Sequence, residues 1–214
     1  MADTPAFDPR AKLLEHFKGR ENQPGAWDDL WKGKDFLPWD RLTPNPALVD
    51  ILNDRTDLIG SSMDGGRRKK ALVPGCGRGY DCVLLASYGY DAYGLEGSEN
   101  AIEEAKKWQQ DHQKEYEVKD EAVGRGQVKF VSGDFFKSDW EKDVPGLREP
   151  AQNGFDIIYD YTVGLSTSSS FGRGKLICLV PIGAPAYQQT CLGIANVEPS
   201  QQNRYFSLHR ISDI

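Results

Sequence analysis

The sequence lacks most of the signals that would send a chain to a membrane, a nucleic acid or a metal. No run approaches the roughly 18 apolar residues that a membrane-spanning helix needs. The first residues, Met1-Ala2-Asp3-Thr4-Pro5, show neither the basic start nor the apolar centre of a secretory signal. Positive charge is in deficit, with 26 Lys and Arg against 32 Asp and Glu and a formal charge of -6. Phosphate recognition needs a concentrated basic patch, so nucleic acid is not an expected partner. The one basic cluster, Arg67-Arg68-Lys69-Lys70, follows Gly60-Ser61-Ser62-Met63-Asp64-Gly65-Gly66 and reads as a solvated loop ahead of a strand. Histidine and cysteine are sparse and scattered: His16, His112 and His209, and Cys76, Cys82, Cys178 and Cys191, with no C-x-x-C pair. That spacing predicts no metal site and no disulfide framework. The expectation is a reduced, soluble, cytoplasmic protein that binds no membrane.

What is present is a pattern of alternating elements in 214 residues, enough for one α/β domain with a substantial core. Three short helices come first. One spans about 11–19, with Leu13, Leu14 and Phe17 on one face, and one spans about 26–32, with Trp27, Leu30 and Trp31 at helical spacing. The third opens at Asn45-Pro46, with Pro46 suited to the first helical position. Then strands near 70–74, 91–96, 128–131 and 155–161 alternate with helices over 80–87 and from Ser98 onward. Such alternation specifies a doubly wound, mostly parallel sheet with helices on its faces.

The segment Ala71-Leu72-Val73-Pro74-Gly75-Cys76-Gly77-Arg78-Gly79-Tyr80-Asp81 is the most telling part. An apolar strand runs into glycines at every second position, and the next apolar run, Tyr93-Gly94-Leu95, stops at Glu96. Glycines let a turn approach a ligand closely, and an acid closing the following strand accepts hydrogen bonds from ribose hydroxyls. The dinucleotide fingerprint would place a third glycine where Tyr80 stands, which disfavours a nicotinamide-dependent oxidoreductase. A glycine-rich turn with no ligand is the plain alternative.

These pieces, with Trp27-Asp28-Asp29-Leu30-Trp31, Pro38-Trp39-Asp40, Gly133-Asp134-Phe135-Phe136 and Phe155-Asp156-Ile157-Ile158-Tyr159-Asp160-Tyr161, carry a family likeness. The chain resembles the thiopurine and thiol S-methyltransferase branch of the class I S-adenosylmethionine-dependent methyltransferases over about residues 20–162. The resemblance implies S-adenosyl-L-methionine as cofactor. Gly75 and Gly77 would lie in the loop against its methionine portion, and Glu96 would hold the ribose hydroxyls. Asp134 and Phe135 would bind and pack the adenine. Trp27, Trp31 and Trp39 would lie over the cofactor and acceptor pocket, and Tyr161 would sit beside the reacting methyl. The implied acceptor is a small thiol, or a halide or hydrosulfide, and a monomer is expected.

Past residue 160 the composition changes. Residues 161–214 hold 6 charged residues, against 52 in the first 160. Residues 1–162 are therefore read as the cofactor-binding domain and 163–214 as its divergent, poorly ordered tail, with C-terminal strands incomplete or irregular. Lys175 to Val180 still reads as a buried strand, but no clear strand pair is visible over 184–214. On that reading the 155–161 strand becomes an open sheet edge, and a catalytically silent cofactor-binding remnant is the rival function.

Overall fold

The computed structural model describes residues 8–20, 24–135, 137–145, 147 and 154–160, together with the backbone of 175–179 and 206–210. Four helices come first: α1 (Pro9–Phe17), α2 (Pro24–Gly33), α3 (Pro46–Asp54) and the single turn α4 (Thr56–Ile59). Their starts follow local chemistry. Asp8 and Asn45 cap α1 and α3 by accepting from the amides of Arg10 and Ala47, and proline occupies the first helical turn of each.

A small hairpin, β1 (Met63–Asp64) and β2 (Arg67–Arg68), precedes the main sheet. This corrects the reading of 60–70 as a solvated loop. Arg67 makes a two-pronged bond to Asp156, at 2.9 and 2.8 Å, and Arg68 donates to the carbonyls of Gly89, Val123 and Gly124. The Lys70 ammonium, on a side chain that is buried, reaches the Pro145 carbonyl at 2.7 Å. Arg67, Arg68 and Lys70 thus tie three connections to the sheet.

The main sheet contains β3 (Lys70–Pro74), β4 (Asp91–Glu96), β5 (Val128–Ser132), β6 (Ile157–Asp160), β7 (Lys175–Leu179) and β8 (Phe206–Arg210), in the order β5-β4-β3-β6-β7-β8. All neighbours are parallel except β7 and β8. Every residue of β3 and β6 is buried, as expected of central parallel strands covered on both faces. Alternate residues feed two separate cores. Ala71, Val73, Ala92, Ile157 and Tyr159 pack with Leu48, Ile51 and Leu52 of α3 and with Cys82, Leu84 and Leu85 of α5 (Tyr80–Ser87). Leu72, Tyr93, Leu95, Val131 and Ile158 pack on the opposite face with Phe135, Phe155 and Trp140, the last carried on a 3-10 helix over Asp139–Asp143.

The expected parallel α/β architecture is therefore present, and two features differ from the sequence reading. β6 is not an edge, because β7 pairs with it in parallel register from Ile157↔Lys175 to Asp160↔Cys178. β8, inside the stretch expected to hold no strand pair, runs antiparallel along β7. What functional consequence the fold has follows from order: the chain moves outward from β3 to β4 and β5, then crosses to β6 on the other side of β3. In open α/β sheets such a reversal leaves a crevice beyond the carboxyl ends of the strands, here those of β3 and β6.

Candidate functional site

At the carboxyl end of β3 the chain enters a turn in which Gly75, Gly77 and Gly79 all take left-handed conformations, with φ of 57°, 52° and 75°. Side-chain-bearing residues rarely adopt these angles, so three successive alternate glycines are needed for this path. Space is the second constraint. A Cβ on Gly79 would stand 2.4 Å from the Phe130 ring, and one on Gly94 in β4 would stand 2.6 Å from the Cys76 sulfur. The turn is pressed flat against β4 and β5. The Cys76 amide donates to the Leu95 carbonyl at 3.3 Å, and the Gly79 amide to the Cys76 carbonyl at 2.8 Å, before α5 begins.

Glu96 ends β4 beside this turn. Its carboxylate accepts from the Gly77 amide (3.0 Å), the Gly97 amide (2.8 Å) and the Ser98 amide (3.2 Å). Burial raises its pKa, and those three donors pull it back only partly. A carboxylate has about four acceptor sites, so three donors leave one open. The Cys76 thiol is pushed well above its usual pKa by its hydrogen bond with Cys82 and by burial, which makes it a poor nucleophile.

Aromatic rings line the approach. Trp31 is 4% exposed and its ring lies 3.2 Å from where a Gly77 Cβ would be. Trp39 meets Trp31 and Trp27 edge to face, with centroids 6.2 and 5.3 Å apart, and Trp27 is 46% exposed. The chain of rings continues to Phe17, 4.6 Å from Trp27. Helix α2 is held in place by Asp28, which accepts from the Ser98 hydroxyl (2.6 Å) and from Asn100 at the start of α6 (Glu99–His112). The Ser98 bond is the largest cause of a lowered Asp28 pKa.

Of the residues expected at the site, Gly75, Gly77, Glu96, Trp31 and Trp39 converge on this end of the sheet. Trp27 flanks them from the surface. Asp134 follows β5 at the same end, exposed and ion-paired with Lys137 at 3.4 Å. Phe135 turns its ring into the core with Trp140. Tyr161 lies outside the described residues. Sequence reasoning missed the ion network beside the turn. There Arg78 bonds Asp40 and, at 2.5 Å, Glu104, while the Tyr80 hydroxyl donates to Asp40 at 2.6 Å and Lys34 reaches Glu104 at 2.5 Å. The partners are 26 to 70 positions apart in the chain, a separation that leaves no periodic trace.

A glycine turn at the reversal of a parallel sheet, with an acid closing the next strand, is the arrangement on which α/β proteins of the nucleoside-binding class are built. Within that class, residues 22–165 match the family model of thiopurine S-methyltransferase, and the chain belongs to that family. It is 34% identical over 150 residues to probable thiol methyltransferase 2 of Arabidopsis thaliana, covering 70% of this chain and 52% of that protein. It is 32% identical over 139 residues to thiocyanate methyltransferase 1 of Brassica oleracea, covering 65% and 48%. To the thiopurine S-methyltransferase of Legionella pneumophila (strain Corby) it is 26% identical, covering 78% and 62%. The chain spans about half the length of the two plant relatives.

Proposed function

We propose that this protein binds S-adenosyl-L-methionine beyond the carboxyl ends of the strands, against the glycine turn and Glu96, and transfers its methyl group to a small soft nucleophile, a thiol before a halide or hydrosulfide. The observation that carries the reading is the Glu96 carboxylate. It is fixed by backbone amides of the turn and of the next connection at the strand end where a ribose is held in such folds. The cofactor supplies a sulfonium-activated methyl; displacement of that methyl needs alignment and exclusion of water more than acid or base. A thiol contributes some thiolate near neutral pH by itself.

This chain's residues divide the work accordingly. Glu96 accepts ribose hydroxyls, and Gly75 and Gly77 keep the turn free of side chains where the ligand passes. Trp31 and Trp39 offer ring faces that suit a cation and shut out water. Asp134 is proposed to accept from the base and Phe135 to pack beside it, and Tyr161 is proposed beside the transferred methyl. Names of the relatives support the acceptor class, since they are a thiol, a thiocyanate and a thiopurine methyltransferase. The protein is proposed to act as a cytoplasmic monomer without nucleic acid or membrane.

Titration calorimetry with S-adenosylhomocysteine tests the reading. Wild type is expected to bind it and not NAD. Loss of charge-assisted bonds in Glu96→Ala should weaken binding by about 1.5–3 kcal/mol, roughly 10- to 150-fold. Because the raised Glu96 pKa makes the acid easier to protonate, affinity should fall with pH at higher pH than for an ordinary glutamate. Equal affinity in wild type and Glu96→Ala would refute the site. Binding without methylation of any thiol, halide or hydrosulfide would leave a silent cofactor-binding protein.

A further inference from the structure

Residues 34–42 form a strap across the front of the glycine turn. Lys34 and Leu42, at its two ends, have φ of 58° and 59° and are the only non-glycine residues with positive φ among those described. The strap carries Trp39 and Asp40, and both of its ends are tied to one group of charges. Lys34 reaches Glu104, Asp40 reaches Arg78, and Arg78 also reaches Glu104. The three inner members are largely shielded from water, with side chains 6% (Asp40), 18% (Arg78) and 13% (Glu104) exposed. Asp40 further accepts from the Tyr80 hydroxyl and, at 3.1 Å, from the Leu42 amide. Arg78 itself lies between Gly77 and Gly79, and its guanidinium sits 5.6 Å from the centre of the Trp31 ring.

We propose that Arg78 is a positioning residue that fastens the 34–42 strap over the glycine turn, and that this fastening sets how fast a bound nucleoside leaves. The second clause rests on the S-adenosyl reading above; the first does not. Only a planar, forked cation can bond two carboxylates from different segments while lying against an indole, so lysine cannot fully replace it. Removing it leaves Asp40 and Glu104 facing each other without their shared countercharge. Strap ends in conformations that side chains rarely adopt favour release once the fastening is gone. Trp39 would then lose its edge-to-face contact with Trp31, the ring that covers Gly77.

Two measurements on the full chain test this. Acrylamide quenching of tryptophan fluorescence in ligand-free protein reads the cover directly. It should rise in Arg78→Leu and Asp40→Asn relative to wild type, with Arg78→Lys in between. Stopped-flow release of S-adenosylhomocysteine should quicken about tenfold or more in both variants, and the double variant should be no faster than the worse single one, since they break one unit. Asp40→Asn keeps the shape of the side chain and carries the test if Arg78→Leu does not fold. Release and quenching both within about twofold of wild type in a folded variant would overturn the proposal, because a charge-assisted pair is worth more than that. Absence of any binding by wild type sinks the S-adenosyl reading and the clause on release. The quenching comparison then decides the fastening by itself.

Discussion

Asp81 shows how one position can oppose the fold that contains it. It stands in the first turn of α5, where the helix amides favour a carboxylate. Burial nevertheless pushes its pKa up to about 6, with the Asn45 amide, 2.8 Å away, pulling the other way. A raised folded-state pKa means that the native protein holds the proton more tightly than the unfolded chain. The corresponding stability is fully present below the unfolded value near 4 and is lost as pH rises through about 6. Asp81→Asn keeps an oxygen for the Asn45 amide and removes the buried charge. It should therefore stabilise the protein at pH 8 by about 1–3 kcal/mol, and by far less at pH 4, in urea denaturation at both values. Asp28, Glu104 and Asp156 have lowered pKa values and act in the opposite direction, so the difference between variant and wild type is the quantity to follow. At this scale Glu96 was legible from its spacing after the glycines, because a strand-helix-strand unit has a restricted length. The rise in its pKa was not, since burial depends on what covers the residue.

Helix α6 is the clearest case of an element whose beginning is written locally and whose placement is not. Ser98 caps it by accepting from the Ala101 amide at 3.1 Å. The same hydroxyl donates to Asp28 of α2, an arrangement 70 positions apart in the chain. Ser98→Ala removes both bonds and leaves Asp28 short of one donor in a part-buried position. Chemical denaturation should show a loss of about 1–2 kcal/mol, toward the upper end of ordinary cap substitutions. The variant should also weaken S-adenosylhomocysteine binding, because α2 carries Trp31. The helices over Tyr80–Ser87 and from Ser98, and the strands from Lys70 and Asp91, stand where the sequence put them. The β1–β2 hairpin escaped notice because each strand has only two residues and its glycines read equally well as a loop. Single-turn α4 is too short to show a helical period.

Across the whole molecule, the sheet depends on strands from a part of the chain whose composition differs from the rest. β6 is buried at every residue and lies between β3 and β7. Removing residues 175–214 would strip one side of its hydrogen-bonding edge and expose a template for self-pairing. Such a truncated chain should aggregate in size-exclusion chromatography with light scattering, while the full chain stays in solution. At the other end of the same strand, Asp156 receives both prongs of Arg67 and the Lys70 amide, which fastens the start of β3 to the start of β6.

The sequence by itself determined the alternation of strands and helices, the glycine turn after β3 and the acid at the end of β4. Each is encoded within one element or one strand-helix-strand unit, through side-chain period and glycine spacing. Only the tertiary structure decided that Arg67, Arg68 and Lys70 would bond to distant connections, that β7 and β8 would close off β6, and that Arg78 would join Asp40 to Glu104 beside the turn. Those contacts unite residues from distant parts of the chain. The charges that form them look, one at a time, like any solvated surface residue until folding removes the water between them.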